Sequence, residues 1–92
     1  MNMLKLSTTT RFNKDLKLCQ KRNYNLQLLF RIVNILRIPK PLPPQNKDHD
    51  LKGNYSGCRE CHISPDWLLI YRIKDDELML YRTGTHSDLF KK

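Results

Sequence analysis

The sequence predicts an α+β protein in which an N-terminal helical hairpin packs on a small twisted antiparallel sheet. Apolar residues recur with helical spacing at about residues 8–38, whereas short β-rich runs between turn residues fill residues 47–90. A proline-rich crossover at residues 39–46 joins the two parts. Because 92 residues leave room for one core, we expect a single domain over residues 1–92.

Both predicted helices begin at a capping residue. Thr8 or Thr9 can cap the first helix, which runs to about Arg22, and Asn25 can cap the second. Pro39 ends the second helix, since the residue before a proline is disfavoured in the α region. The apolar stripes are Phe12, Leu16 and Cys19 in the first helix and Leu26, Leu29, Phe30, Val33 and Leu36 in the second.

The strands are predicted from alternating or continuous apolar runs. The opening Met3–Leu6 alternates and suggests an edge strand. The main strands are predicted at Cys58–Ile63, Trp67–Ile73 and Leu78–Thr83. If the turn at 74–77 sets the register, Tyr71 lies opposite Leu80 and Leu69 lies opposite Arg82. Trp67, Leu69, Tyr71, Leu80 and Arg82 would then share one face.

Positive charge is concentrated in the helical half. The chain has 17 Lys and Arg against 9 Asp and Glu, a net charge of +8, which favours a polyanionic partner such as nucleic acid. Asp15 is the one acidic residue before residue 47, so the first half carries the whole excess. A solvated helix face is the alternative interpretation of these charges. The candidate docking residues are Arg11, Lys14, Lys17 and Lys21.

The segment Cys58-x-x-Cys61-His62 matches the haem attachment signature of c-type cytochromes. On a strand, however, residues three apart point to opposite faces, so these cysteines cannot both reach one porphyrin. A zinc site is also disfavoured, because a second close ligand pair is missing. We therefore expect no haem and no metal, and buried apolar roles for Cys19 and Cys61.

The chain lacks the marks of export or membrane insertion. Met1–Ser7 has no apolar core of a signal peptide, and no apolar run is long enough to span a bilayer. Three cysteines, an odd number, fit a reducing compartment better than a disulfide framework. We expect a cytoplasmic protein without a membrane partner.

All three histidines fall in the second half, together with other groups suited to RNA cleavage. Histidine can accept or donate a proton near neutral pH, and arginine can hold a phosphate through two hydrogen bonds. An aromatic ring can stack on a base. The polar candidates are His49, His62, Asp66, Arg82 and His86, with Trp67 and Phe90 as aromatic candidates.

Ordered blocks in this half resemble the YafQ branch of the RelE/ParE toxins. They are Lys47-Asp48-His49, Leu51-Lys52-Gly53, Arg59-x-x-His62, Pro65-Asp66-Trp67-x-Leu69-Ile70-Tyr71, Arg82-Thr83-Gly84-Thr85-His86 and Leu89-Phe90. The resemblance covers nearly the whole chain. Cys58 departs from it, because relatives commonly carry an aromatic residue before the arginine.

The resemblance implies a type II toxin, a ribosome-dependent endoribonuclease that cuts mRNA in the A site without a metal or other cofactor. It implies His86 as the principal acid or base, Asp66 and His62 as proton-transfer partners, and Arg82 as stabiliser of the phosphorane. It further implies that His49 orients substrate or assists proton transfer. Trp67, Phe90 and Lys47 would bind substrate. The implied partners are the ribosome, mRNA and a cognate antitoxin, a DinJ-like DNA-binding protein.

Two alternatives remain open at this stage. A ParE-like toxin of the same fold would inhibit DNA gyrase by binding, without catalysis. An inert module would bind only the antitoxin. The histidine set favours the nuclease, since a pure binder has no use for three histidines around an arginine.

Overall fold

The computed structural model describes residues 3–90, and its architecture confirms the predicted α+β fold. The elements in chain order are β1 (Lys5–Thr8), α1 (Thr10–Lys21), α2 (Leu26–Arg37), β2 (His49–Asp50), β3 (Arg59–Ser64), β4 (Trp67–Lys74), β5 (Glu77–Gly84) and α3 (His86–Leu89). Short 3₁₀ turns occupy Pro44–Asn46 and Gly53–Tyr55. The ends of the predicted domain, at residues 1, 2, 91 and 92, lie outside the described residues.

The five strands form one mixed sheet in the order β1-β5-β4-β3-β2. Strands β3 to β5 pair antiparallel, as predicted. The two-residue strand β2, which the sequence did not predict, pairs antiparallel with β3. The predicted edge strand forms as β1, but it runs parallel to β5, with Lys5 opposite Glu77. The sequence gives no local sign of this pairing, because the two strands lie at opposite ends of the chain. The predicted antiparallel sheet therefore needs correction at this one edge.

Both helices begin at the predicted caps. The hydroxyl of Thr9 accepts a hydrogen bond from the backbone N–H of Phe12 at 2.9 Å. The side-chain oxygen of Asn25 accepts one from the N–H of Gln27 at 3.1 Å. These bonds satisfy backbone donors that have no partner within the first helical turn. Helix α2 ends at Arg37, just before Pro39, as expected.

The main core lies between the helical hairpin and one face of the sheet. Phe12 and Cys19 of α1 are buried there, and Leu16 packs against them. The stripe of α2 is confirmed except at Phe30, which is 49% exposed. Phe30 lies at the edge of a stripe too broad for the sheet to cover. The buried α2 residues are Leu29, Ile32, Val33 and Leu36.

A second, smaller core lies on the opposite face of the sheet. It contains Cys58, Leu68, Ile70 and Leu89 and is partly covered by Leu51, Tyr55, Tyr81 and Phe90. The expected crossover at residues 39–46 packs Leu42 against the main core and ends in a 3₁₀ turn. There the amide of Asn46 donates to the carbonyl oxygen of His62 at 2.7 Å, which ties the crossover to β3.

The cysteine pair is divided between the two cores. Cys61 is buried on the helix side of the sheet, and Cys58 is buried on the other side. Strand alternation predicts this separation, and it prevents the two sulfurs from binding the same ligand. Burial raises the pKa of the Cys61 thiol to about 12, so the thiol stays protonated and unreactive near neutral pH.

Candidate active site

The candidate catalytic residues lie on the face of the sheet that the helical hairpin leaves uncovered. His62 on β3 pairs with Leu68 of β4, and Glu60, two residues earlier, pairs with Ile70. Leu68 and Ile70 belong to the second core. Because paired residues of neighbouring strands point to the same face, Glu60 and His62 also point there.

Arg82 also lies on this open face, and here the predicted register is wrong. Tyr71 lies opposite Leu80 as expected, but Ile70, not Leu69, lies opposite Arg82. A β-bulge leaves Tyr81 as an extra residue in β5. The insertion moves Arg82 from the expected face, that of Trp67 and Tyr71, to the face of His62. A local pattern cannot reveal such a bulge.

His86 and Asp66 form the closest pair among the candidate catalytic residues. Nδ1 of His86 lies 2.6 Å from Oδ1 of Asp66, and the backbone N–H of His86 donates to the same oxygen at 3.1 Å. These two hydrogen bonds hold the pKa of Asp66 below its usual value. Asp66 therefore stays ionised near neutral pH. A carboxylate that accepts from Nδ1 leaves Nε2 of His86 directed away, available for a proton transfer.

His86 is positioned by α3, a short helix that the sequence analysis missed. Thr85 and Asp88 form a reciprocal capping box at its start. The guanidinium of Arg22, at the end of α1, donates to Asp88 at 2.7 Å and holds the helix against the hairpin. The spacing Thr-x-x-Asp is a recognisable helix start, so the sequence did contain a sign of this element.

His49 and His62 flank a buried carboxylate, that of Glu60. Oε1 of Glu60 lies 3.4 Å from Nε2 of His49 and 4.0 Å from Nε2 of His62, and its side chain is only 7% exposed. Nδ1 of His49 lies 2.7 Å from the carbonyl oxygen of Lys47. Both neighbours of this ring are acceptors, so the ring can donate to both of them only in its protonated form.

Glu60 is the functional candidate that the sequence analysis missed. It lies two residues before His62 on one strand, and this spacing places the two side chains on the same face. The pattern Glu-x-His therefore predicted that these two side chains share a face. The pairing of β2 with β3, which brings His49 opposite Glu60, could not be predicted, because β2 has only two residues.

The two histidine groups meet at the end of the sheet. The rings of His62 and His86 lie edge to face, with their centroids 5.6 Å apart. Through this contact the structure brings together four predicted site residues, which are His49, His62, Asp66 and His86. A substrate phosphate near the ring pair would have more than one imidazole within reach.

Arg82 is held in place by an ion pair with Asp15 of α1. Its Nε and Nη2 donate to the two carboxylate oxygens at 2.7 and 3.1 Å, and Nη1 donates to the hydroxyl of Tyr55 at 3.3 Å. The hydrogen bond with Asp15 raises the pKa of Arg82, so its charge is permanent. Beside Arg82 opens a cleft of about 550 Å³, which Tyr55 and Phe90 also line. We call it the Arg82 cleft.

The remaining candidates have different surroundings. Trp67 is buried in the main core, and its indole N–H donates to the hydroxyl of Thr83 at 2.9 Å, so its ring cannot form an exposed stacking platform with Arg82. Lys47 is exposed and contacts His49 through its carbonyl oxygen. The predicted docking residues Arg11, Lys14, Lys17 and Lys21 are all exposed on α1.

Two features are absent from residues 3–90. No group of three or more metal-ligating side chains is arranged to hold a metal ion. None of the helices is both long enough and apolar enough to cross a bilayer.

Fold and site together define a class of protein. A helical hairpin packed on a small sheet is the fold of the small RelE/ParE-like toxins, and in this chain histidines and an arginine lie on the open face. Residues 4–91 match the family model described as the bacterial toxin of type II toxin–antitoxin system, YafQ. The chain therefore belongs to the YafQ family.

Individual relatives agree with this assignment. The mRNA interferase toxin YafQ of Escherichia coli K12 is 44% identical over 80 residues, which cover 86% of this chain and 87% of that protein. A copper-bound mutant toxin from Helicobacter pylori superposes with a TM-score of 0.91 at 45% identity, covering 96% of this chain and 100% of that one. YafQ in the E. coli DinJ–YafQ toxin–antitoxin complex gives 0.88 at 39% identity, with coverage of 96% and 98%.

Proposed function

We propose that this toxin is an endoribonuclease that cuts mRNA on the ribosome by acid and base catalysis and so arrests translation. The observation that carries the proposal is the cluster of His49, His62 and His86 on the open face of the sheet, where His86 pairs with Asp66. Its relative in E. coli is named an mRNA interferase. Action on the ribosome would place the protein in the cytoplasm.

Cleavage begins when the ribose 2′-oxygen attacks the neighbouring phosphorus while a base removes the hydroxyl proton. The 5′-oxygen then leaves with a proton from an acid, and a cyclic phosphate remains on the upstream fragment. Histidine suits both proton transfers near neutral pH. We assign His86, oriented by Asp66, as the principal proton-transfer residue, with His62 beside it as the second. His49 and Glu60 support His62 from the far side.

The other predicted residues bind and orient the RNA. Arg82 lies on the same face as the histidines, and its charge would stabilise the doubly negative phosphorane. Phe90 lines the cleft beside it and would hold a base. Lys47 and the buried Trp67 act indirectly, because the carbonyl oxygen of Lys47 contacts His49 and Trp67 lines a second pocket together with Asp66.

Two partners follow from the relatives. YafQ of E. coli was crystallised with DinJ, so we propose a DinJ-like antitoxin for this chain. The ribosome is the second partner, and the exposed residues Lys14, Lys17 and Lys21 on α1 would dock on its RNA through phosphate contacts.

A cleavage assay with three arms tests the proposed function. The purified toxin is incubated with a message alone, with the same message bound to ribosomes, and with the ribosome complex from which free Zn²⁺ and Cu²⁺ have been removed by a selective chelator. We expect cuts, mapped by primer extension, in both ribosome arms and few without ribosomes. A variant with Lys14, Lys17 and Lys21 changed to Glu should bind ribosomes more weakly.

Other outcomes would point elsewhere. Absence of cutting in every arm, together with inhibition of DNA gyrase supercoiling, would favour a ParE-like toxin that acts by binding. Loss of cutting after chelation would contradict metal-independent catalysis. The copper-bound toxin of H. pylori makes this arm necessary.

Replacing Asp66 with Asn should lower the cleavage rate by about 10- to 100-fold. An amide at this position can offer its N–H to Nδ1 of His86, which would favour the wrong tautomer. Single-turnover cleavage of a ribosome-bound message measures the effect. Because the pKa of Asp66 is lowered, Asp66 is ionised and can pair with His86 at any pH above the usual carboxyl pKa of about 4. The pair is lost only as the pH falls below that value. Titration of Asp66 should therefore not change the wild-type rate between pH 5 and 8, and a rate unchanged in the Asn variant would exclude the orienting role.

A further inference from the structure

The Arg82 cleft is lined by two cationic side chains in addition to Arg82. Arg11 from α1 and Lys52 from the loop after β2 line it together with Arg82. Arg11 and Lys52 are both exposed, and neither forms an ion pair within residues 3–90. The acid in the lining, Asp88, is already neutralised by Arg22 at 2.7 Å. The cleft therefore has two cations available for an anionic ligand.

Arg82 itself keeps part of its hydrogen-bonding capacity. Asp15 occupies the side of the guanidinium formed by Nε and Nη2, and Tyr55 accepts one hydrogen bond from Nη1. A guanidinium has five N–H donors, so a second hydrogen on Nη1 and one on Nη2 remain. Each of these two hydrogens can donate to a phosphate oxygen.

The cleft also has an aromatic wall. Tyr55 and Phe90 are both half-buried, and their rings lie nearly perpendicular with centroids 6.0 Å apart. This edge-to-face contact fixes the orientation of Phe90 while leaving part of its ring accessible. An aromatic ring next to cations can hold a nucleobase and its phosphate at the same time.

The position of Phe90 relates the cleft to the catalytic histidine. The backbone N–H of Phe90 donates to the carbonyl oxygen of His86 at 2.8 Å, so the two residues are one helical turn apart. Four residues of helix span about 6 Å along the axis. This separation is short enough for one RNA strand to place neighbouring nucleotides at His86 and in the cleft.

We propose that the Arg82 cleft binds the nucleotide next to the cleaved bond, an inference that rests on the proposed function. The base packs on Phe90, which Tyr55 supports, and Lys52 and Arg11 hold its phosphate, which leaves the free donors of Arg82 for the phosphorane at the cleaved bond. Neither Lys52 nor Arg11 touches the reacting atoms. They bind substrate, and their effect should fall on KM and not on kcat.

Two measurements test this subsite. The first is cleavage of a ribosome-bound message by a double variant, Lys52→Gln with Arg11→Gln. We expect KM to rise about 10-fold or more, with kcat within about 3-fold of wild type, because two phosphate contacts are lost. The matched control is Lys74→Gln with Arg31→Gln, which removes the same charge from exposed positions outside the cleft and should leave KM within about 3-fold.

The second measurement removes the ribosome. A trinucleotide RNA with a 2′-deoxy sugar at the cleavage position is titrated into the otherwise native protein and followed by amide NMR. We expect shifts at Asn54, Tyr55 and Phe90 that the Lys52 and Arg11 double variant loses.

The outcomes distinguish failure of the proposed function from failure of the proposed subsite. If the wild type does not cut ribosome-bound message, the proposed function fails. If the wild type cuts but the double variant has the same KM as its control, the subsite is wrong. Absence of shifts at the three cleft residues also overturns the subsite, whatever the KM values.

Discussion

Replacing His86 with Gln is expected to lower message cleavage by about 10²- to 10⁴-fold, because the amide cannot accept and release a proton near neutral pH. The loss should appear in the rate of a single turnover on ribosome-bound message. Ribosome affinity should change little, since the basic face of α1 is untouched. His86 is exposed, so the substitution should leave the fold intact.

Ser87→Ala is the matched control for this variant. Ser87 is the next residue of α3, is also exposed and has no part in the proposed chemistry. Its cleavage rate should remain within about 3-fold of wild type. Cutting by the His86 variant at the wild-type rate would remove His86 from the mechanism. Equal loss in both variants would indicate disruption of α3 and not loss of a proton-transfer group.

Replacing Asp15 with Ala should destabilise the protein by about 2–4 kcal/mol, because it leaves the Arg82 charge without its partner in a largely buried position. The side chains of Arg82 and Asp15 are only 11% and 14% exposed. Asp15 also accepts a hydrogen bond from the backbone N–H of Thr83 at 3.1 Å, and the Ala variant loses this hydrogen bond as well. Urea unfolding followed by the fluorescence of the buried Trp67 measures the change.

Asp50→Ala serves as the control for this prediction. Asp50 also pairs with an arginine, Arg59, but its side chain is 78% exposed, so its removal should cost less than about 1 kcal/mol. An Asp15 variant no less stable than the Asp50 variant would show that the buried pair contributes little. Asp15→Asn should lie between Asp15→Ala and wild type, because its side-chain oxygen can still accept a hydrogen bond. Cleavage by any folded Asp15 variant should also fall, since Arg82 loses the contact that orients it.

The helical hairpin was predictable because its determinants are local. Thr9, Asn25 and Pro39 fix the helix boundaries through their own side chains or rings. The fate of Phe30 was not predictable, since helical periodicity marks an apolar stripe but not how much of it the sheet covers. Likewise, β1 was expected as an edge strand, but its parallel pairing with β5 depends on residues far away in the chain.

The candidate site was predictable in its residue types and not in its arrangement. His49, His62 and His86, with Asp66, converge on the open face as their chemistry suggested. Glu60 was not predicted as a site residue, although its spacing from His62 indicated that the two side chains share a face. The bulge at Tyr81 reversed the expected face of Arg82, because one inserted residue changes the side of every residue that follows until the register is restored.

By itself the sequence determined the α+β fold class, the helix boundaries, the basic character of the first half and the set of candidate catalytic groups. Each depends on composition or on neighbours within a few residues. Only the tertiary structure decided which face Arg82 occupies, that Asp15 holds it, and that Glu60 lies between two histidines. Asp15 and Arg82 are 67 positions apart in the chain and His49 and Glu60 are 11 apart, and only chain packing brings such residues within hydrogen-bonding distance.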